Sequence, residues 1–270
     1  MVKEDVREGI NSEFEDKKKQ IVELPALDFF KINIISFILP LYPCLVIFLL
    51  FEYYFVSLFN IPFIIHILIL PIFLLFLYYL YLILLIEFTA FWTRRWNKKS
   101  PPKQGVFRRV LDDLNSEEGK MMRYYHKRGF IIKFPMWMTS KSPFPWLLNR
   151  ALKRISHNKI GKNVLYCDGY AGLEFTDLGD NVFIYPTSAL SSHAVNTIFG
   201  KISMMEIKLG NNTTFYPGII AGPNAMTTDN NVIFPNSVLH KNWRGKPNKY
   251  YYQGSPSRPI EVNHLKNSKQ

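Results

Sequence analysis

The decisive stretch is TDLGDNVFIYPTSAL (residues 176–190), resumed after an interruption as IKLGNNTTFYPGIIAGPNAMTTDNNVIFPNSVL (residues 207–239). Leu209, Phe215, Ala221, Thr227, Ile233 and Leu239 stand six apart, and two positions before each come Ile207, Thr213, Ile219, Ala225, Asn231 and Ser237. The same ladder runs through Leu178, Ile184 and Leu190, preceded by Thr176, Val182 and Ser188, and reaches more faintly back to Ile160, Tyr166 and Gly172. Between the rungs lie Gly179-Asp180-Asn181, Gly210-Asn211-Asn212, Gly222-Pro223-Asn224 and Thr228-Asp229-Asn230-Asn231, residues suited to tight turns. A six-residue period of this kind predicts a parallel β-helix of three-sided coils. The aliphatic rung points inward and stacks on the rung of the next coil, and the small residue two earlier sits near a corner. From Leu190 to Leu209 is nineteen residues, one more than three sixes, so the register slips. A loop therefore leaves the coil between about Ser191 and Glu206, and it carries His193.

Upstream, Ile32–Phe51 is twenty residues without a charge, and Pro62–Ile86 is twenty-five with His66 the one titratable residue besides tyrosines. Each is long enough to cross about 30 Å of hydrocarbon as a helix. Lys17, Lys18, Lys19 and Lys31 precede the first run, and Arg94, Arg95, Lys98 and Lys99 follow the second. By the positive-inside rule this predicts a two-span hairpin with both termini and the β-helix in the cytosol. Pro40, Pro43 and Pro71 should kink the spans. His66 lies one turn into its span, at interface depth, with Glu52 and Glu87 near opposite ends.

The chain thus divides into a charged segment 1–31, the hairpin 32–93, a basic aromatic juxtamembrane region 94–157, the β-helix 158–262 and a tail 263–270. In the first segment Val2, Val6, Ile10 and Phe14 recur every four residues, consistent with a short amphipathic helix. The absence of an apolar core there argues against a secretory signal. Two cysteines, Cys44 and Cys167, in unlike surroundings give no disulfide framework or metal pattern, as expected of a chain facing a reducing compartment. The net charge of +12 is concentrated: Arg94 to Lys162 holds 18 Lys and Arg against 4 Asp and Glu. Directly after an apolar run, that excess reads as a flank facing lipid headgroups. No nucleic-acid motif accompanies it. Within this region helices are expected over Ser116–Lys127, capped by Asn115 or Ser116, and over Pro145–Ile155. The region is expected to form a collar around the β-helix, with its aromatics toward the membrane. His126 and His157 are read as part of that collar, and His240 as a surface residue.

A histidine on the interrupting loop suggests proton transfer, since imidazole titrates near neutrality. The terminal Gly254-Ser255-Pro256-Ser257-Arg258-Pro259-Ile260 resembles the closing motif of hexapeptide-repeat acyltransferases. That resemblance implies a left-handed β-helix, a homotrimer, and a loop histidine acting as general base toward the thioester of acyl-CoA or an acylated carrier protein, with no tightly bound cofactor or metal. The set Pro145–Leu152, Ile160–Val164, Leu178–Ile184 and Ser192-His193 is similar to one unit of the membrane-bound C-terminal region of poly-lysine-synthetase-like non-ribosomal peptide synthetases. There, pairs of transmembrane helices alternate with hexapeptide-repeat domains, and the histidine falls at His193. That family follows its histidine with an acidic pair, where this chain has Asn196 and Thr197. Glu174, Asp177, Asn196 and Glu206 are candidates to orient the imidazole or bind the acceptor, and Lys241, Trp243 and Arg258 to contact the acyl donor. The expected protein is a membrane-anchored acyltransferase with an amine or hydroxyl acceptor, in contact with membrane lipids. The alternatives are a non-catalytic oligomeric scaffold and, disfavoured by the few polar residues in the spans, a channel.

Overall fold

The computed structural model describes residues 26–110, 113, 115–155, 157–166, 174–196 and 200–261. The amphipathic pattern of Val2 to Phe14, the rung at Gly172, Cys167, Thr197 and the tail 263–270 lie outside the described residues.

The first apolar run is helical over more than its uncharged core. It comprises α1 (Ala26–Ile38), α2 (Leu41–Leu50) and a π-helical continuation (Phe51–Leu58). The break between α1 and α2 falls at Pro40, which lacks the N–H a continuous helix would need. The second run is one helix, α3 (Phe63–Lys99), which passes through Pro71 and includes the expected cationic flank in its last turns. Cations there oppose the helix dipole favourably. The boundary expected at residue 94 therefore falls inside α3. Both runs are long and apolar enough to cross a membrane. Phe63, Ile64, Leu68 and Ile72 point outward from the first turns of α3, whereas its later turns bury Tyr81, Leu82, Leu85, Ile86, Thr89 and Ala90. At 3.6 residues per turn these form one stripe.

That stripe packs on α4 (Glu117–Ser140) and α5 (Trp146–Ile155). The Ser116 cap holds: its Oγ accepts from the Gly119 N–H at 3.0 Å. The helix it starts does not stop at Lys127 but runs on through Pro135, because burial of Ile131, Ile132 and Pro135 offsets the missing hydrogen bond. Nor is α4 confined in its contacts to the coil. It packs on α1 as well, where Phe130 stacks on Phe29 at 3.8 Å and Phe134 meets Phe37 edge-on at 4.7 Å. Helix α5 faces two ways. Leu147, Ala151 and Ile155 meet the helices, while Leu148 and Leu152 join the core of the β-domain and close its first coil. Arg150 and Arg154 pin α5 to Glu87 of α3 at 2.9 and 2.6 Å.

The β-domain is a parallel β-helix with three faces. Lys159–Ile160, Thr176–Leu178 and Ile207–Leu209 stack on the first, and single bridges at Met226 and Arg244 continue it. Leu165–Tyr166, Phe183–Ile184, Thr214–Phe215, Val232–Ile233 and Tyr251–Gln253 form the second. Ala189–Leu190, Ile220–Ala221 and Val238–Leu239 form the third. Leu178, Leu209, Ile184, Phe215, Ile233, Leu190, Ala221 and Leu239 are all essentially buried, as the six-residue ladder requires. At one corner Asn163, Asn181, Asn212 and Asn230 adopt φ of +53° to +58°, and each amide donates to the next at 2.9–3.1 Å. Asparagine tolerates this left-handed conformation better than other residues with a Cβ. Gly210 is required beside that corner, because a Cβ would lie 2.5 Å from the Thr228 carbonyl oxygen. The far end closes with Trp243 edge-on to Tyr252 at 5.0 Å and Arg258–Pro259 folded antiparallel on Tyr251–Gln253.

Candidate functional site

Paired coil positions differ by 18 residues at Thr214 and Val232 but by 31 at Thr176 and Ile207, so thirteen residues are inserted after Leu190. They do not form the expected loop. They form an antiparallel hairpin of two strands, which with the earlier Gly105–Arg108 we label β1 (Gly105–Arg108), β2 (His193–Asn196) and β3 (Lys201–Met204). The polar link after α3 supplies β1, which pairs antiparallel to β3 so that Gly105 and His193 both oppose Met204. Gln104 adds an acceptor, Oε1, for the Glu206 N–H at 3.0 Å, and the Arg109 N–H donates to the Gly200 carbonyl at 2.7 Å. Lys241 reaches from the coil to donate to Ser203 Oγ at 2.7 Å. The hairpin is thus held from three sides.

His193 opens β2 and faces a cavity of about 180 Å³ between the hairpin and α4. The helix wall is Tyr125, His126, Gly129, Phe130 and Lys133, and the β-side wall includes Glu174, Phe175, Ser192, Val195 and Met204. Positions 126, 129, 130 and 133 follow the i, i+3, i+4, i+7 spacing of one helix face. A Cβ on Gly129 would meet nothing within 4 Å, so its lack of a side chain leaves that wall open. Tyr125 meets the His193 ring edge-on at 5.7 Å and His126 at 5.2 Å.

Burial, and next the ammonium of Lys133, hold His193 below the usual imidazole value. Burial, and next Arg109 and His193, push His126 down to about 4. Both rings are therefore neutral at pH 7, and the His193 imidazole carries a free lone pair able to take a proton. Stability linked to His126 is present above about pH 6.5 and is lost as pH falls toward 4, because the unfolded chain then binds the proton more readily.

Of the residues expected to orient the imidazole, Glu174 alone lines this cavity, and its carboxylate is engaged by Arg128. Arg128 is almost fully buried on α4 and also donates to the Ser100 carbonyl at 3.1 Å. Burial pushes the Glu174 carboxyl up, and the guanidinium draws it back. This pair ties α4 to the coil; removing one partner would strand a buried charge, a loss of about 3–5 kcal/mol. Asp177 lies outside the cavity, 3.9 Å from Lys208. Asn196 is exposed at the far end of β2, and Glu206 sits beyond β3 against Gln104. Among the described residues no hydrogen bond reaches the His193 ring. Among the described residues the contact that orients the ring is the edge-on packing of Tyr125.

The donor-side candidates separate. Trp243 and Arg258 line a second hollow at the end of the coil, with Arg244, Lys246 and Lys249, while Lys241 anchors the hairpin. The Trp243 indole donates to the Ser257 carbonyl at 2.9 Å. His240 is exposed, and His157 packs beside Phe175 at 6.0 Å. His126, read from the sequence as part of a basic collar, instead belongs to the cavity. Its signal was present in the helical spacing from His126 to Lys133, but no local pattern says which neighbour that face meets. In the apolar hairpin, His66 Nε2 lies 3.1 Å from Glu52 Oε1, joining two residues that the linear sequence keeps fourteen apart. No group of three or more His, Cys, Asp or Glu able to hold a metal occurs among the described residues.

No family model matches the chain, and no curated protein matches it. Solved structures similar to it include a maltose O-acetyltransferase from Clostridium difficile 630, at 18% identity and TM-score 0.38 over 51% of this chain and 86% of that one. A galactoside acetyltransferase in complex with coenzyme A is 18% identical, with TM-score 0.39, over 54% of this chain and 85% of that one. A hexapeptide-repeat acetyltransferase from Vibrio cholerae O1 biovar eltor, complexed with acetyl coenzyme A, is 11% identical, with TM-score 0.38, over 56% and 91%.

Proposed function

We propose that this chain is a membrane-anchored acyltransferase in which His193 is the general base. The observation that carries the reading is the setting of His193. A thirteen-residue insertion breaks an otherwise regular β-helix and presents one neutral, half-buried imidazole to a cavity roofed by a helix from the membrane-proximal layer. The ring takes the proton from an acceptor hydroxyl or amine. The acceptor oxygen or nitrogen then attacks the carbonyl carbon of an acyl thioester, the C–S bond breaks, and the imidazolium returns its proton to the thiolate. Coenzyme A is the natural thioester, with an acylated carrier protein as the other source. Tyr125 keeps the ring in register.

The coil is left-handed and three copies assemble around it, as the closing Gly254–Ile260 motif suggests. The apolar hairpins lie in the lipid with both termini and the β-helix on the cytosolic side. The chain's layout resembles one unit of the arrangement found in the poly-lysine-synthetase-like enzymes. Phe63, Ile64, Leu68 and Ile72, all at 69–75% exposure, support the placement in lipid, since water does not favour such a belt.

Native mass spectrometry of the detergent-purified chain, incubated with mixed acyl-CoAs and lipid extract, tests the reading. The expected result is a trimer that binds a thioester and yields a new acylated product, absent in His193→Ala. A second reading, a non-catalytic scaffold, is favoured by one observation: among the described residues no carboxylate is bonded to the imidazole. A trimer that binds no thioester, and leaves the lipids unchanged when offered acylated carrier as well, would establish the scaffold instead.

A further inference from the structure

We propose that the cavity between α4 and the hairpin is an anion site, and that the acceptor entering it carries a phosphate ester beside its reactive hydroxyl or amine. As a substrate class this rests on the transferase reading; as a binding site it does not. The basis is an imbalance of charge. Lys133 lines the cavity with its ammonium 5.2 Å over the Phe130 ring, and among the described residues no carboxylate lies within ion-pair distance of it. Among the described residues the one carboxylate in the lining, Glu174, is already engaged by Arg128. Arg109, just beyond β1, stands close enough to His126 to act on its charge, and its Nε is buried with no hydrogen-bond partner. The Nε2 of His126 is likewise buried and unpartnered. The remaining polar groups of the described lining, Tyr125, Ser192 and the two neutral imidazoles, add no second carboxylate to offset the ammonium. Buried donors without acceptors are costly, and a ligand oxygen relieves them.

A phosphate suits this setting because its several oxygens can accept from more than one donor at once. The Lys133 ammonium comes from the α4 wall, and Arg109 stands just past β1, near His126 but outside the lining. The apolar side of the cavity points to where the rest of the molecule goes. Phe130 stacks on Phe29 of α1, the start of the first apolar run, so this wall is continuous with the apolar layer. A phosphate here is either a lipid headgroup or a soluble phosphate ester.

Protection of His193 from carbethoxylation by diethyl pyrocarbonate, read by peptide mass spectrometry, tests the site without any thioester. The full chain is placed in phosphatidylcholine nanodiscs, either with phosphatidic acid in the bilayer or with glycerol 3-phosphate in solution. His193 should be protected in at least one arm, and the arm that protects identifies the source. The anion level giving half-protection should rise about tenfold in Lys133→Gln, the scale of losing one charge-assisted contact, and return in Lys133→Arg. Lys133 is exposed, so neither variant threatens the fold. No protection in either arm, or equal protection of wild type and Lys133→Gln, overturns the site. Because no acyl transfer is measured, a chain that protects but does not transfer would sink the transferase reading alone.

Discussion

The β-helix and the hairpin that interrupts it are built from the same strand geometry and obey different rules. In the coil a residue answers to its counterpart one turn away, eighteen residues along the chain in an uninterrupted turn and thirty-one across the insertion. The rungs Ile184, Phe215 and Ile233 stack, the corner asparagines bond along the axis, and stability is a sum of neighbour terms. The hairpin answers to distant segments instead: to Gly105–Arg108 after α3, to Lys241 two coils on, and to α4 across a cavity. A regular stack satisfies all its groups internally and leaves nothing to bind. The insertion spends regularity to present His193, Ser192 and Val195 to a space another element closes.

That contrast sets how each region should fail. Phe215→Ala removes a fully buried rung and should cost about 3–5 kcal/mol, read as a fall in the thermal midpoint in detergent together with loss of any activity. His193→Ala should do the reverse: transfer falls by roughly 10²–10⁴ with the thermal midpoint unchanged, since the side chain is only half-buried and, among the described residues, makes no hydrogen bond. If His193→Ala unfolds the chain, or transfer survives it, the division between coil and insertion fails. Smaller is the effect at the corner. Asn212→Ala should cost about 1–2 kcal/mol from its left-handed backbone, and Asn212→Gly should recover that part while still lacking the amide ladder. Equal losses in the two variants would mean that the ladder, not the backbone, sets the corner.

The smallest expected change is in pH dependence. With His193 held below the usual imidazole value, the acid limb of the transfer profile should lie below about pH 6.5. Desolvation is the larger cause and Lys133 the second, so Lys133→Gln should move the limb upward by only part of the wild-type displacement. A limb that moves downward, or not at all, would remove Lys133 from the neighbourhood of the base.

The ladder was legible because a β-helix is nearly one-dimensional. Its contacts recur at a fixed separation, so Leu209 to Leu239 print the fold directly in the text, and the slip after Leu190 prints the insertion. The apolar runs were legible for a similar reason, since length and lack of charge are local. Their ends were not. Arg94 to Lys99 looked like a separate flank yet continue α3, because its buried stripe from Tyr81 to Thr93 carries the helix onward. The helix expected over Ser116–Lys127 likewise runs on to Ser140, through a buried Pro135.

The sequence by itself determined the coil, its rungs and corners, the place of the interruption and the presence of His193 on it. Only the tertiary structure decided what His193 faces. The docking of α4, held by Phe29 against Phe130 and by Arg128 against Glu174, brings Tyr125, His126 and Lys133 to the cavity and takes Glu174 away from the imidazole. Those contacts join residues 46 to 101 positions apart with no period between them. A repeated local interaction leaves a pattern in the chain, and a single long-range packing event leaves none.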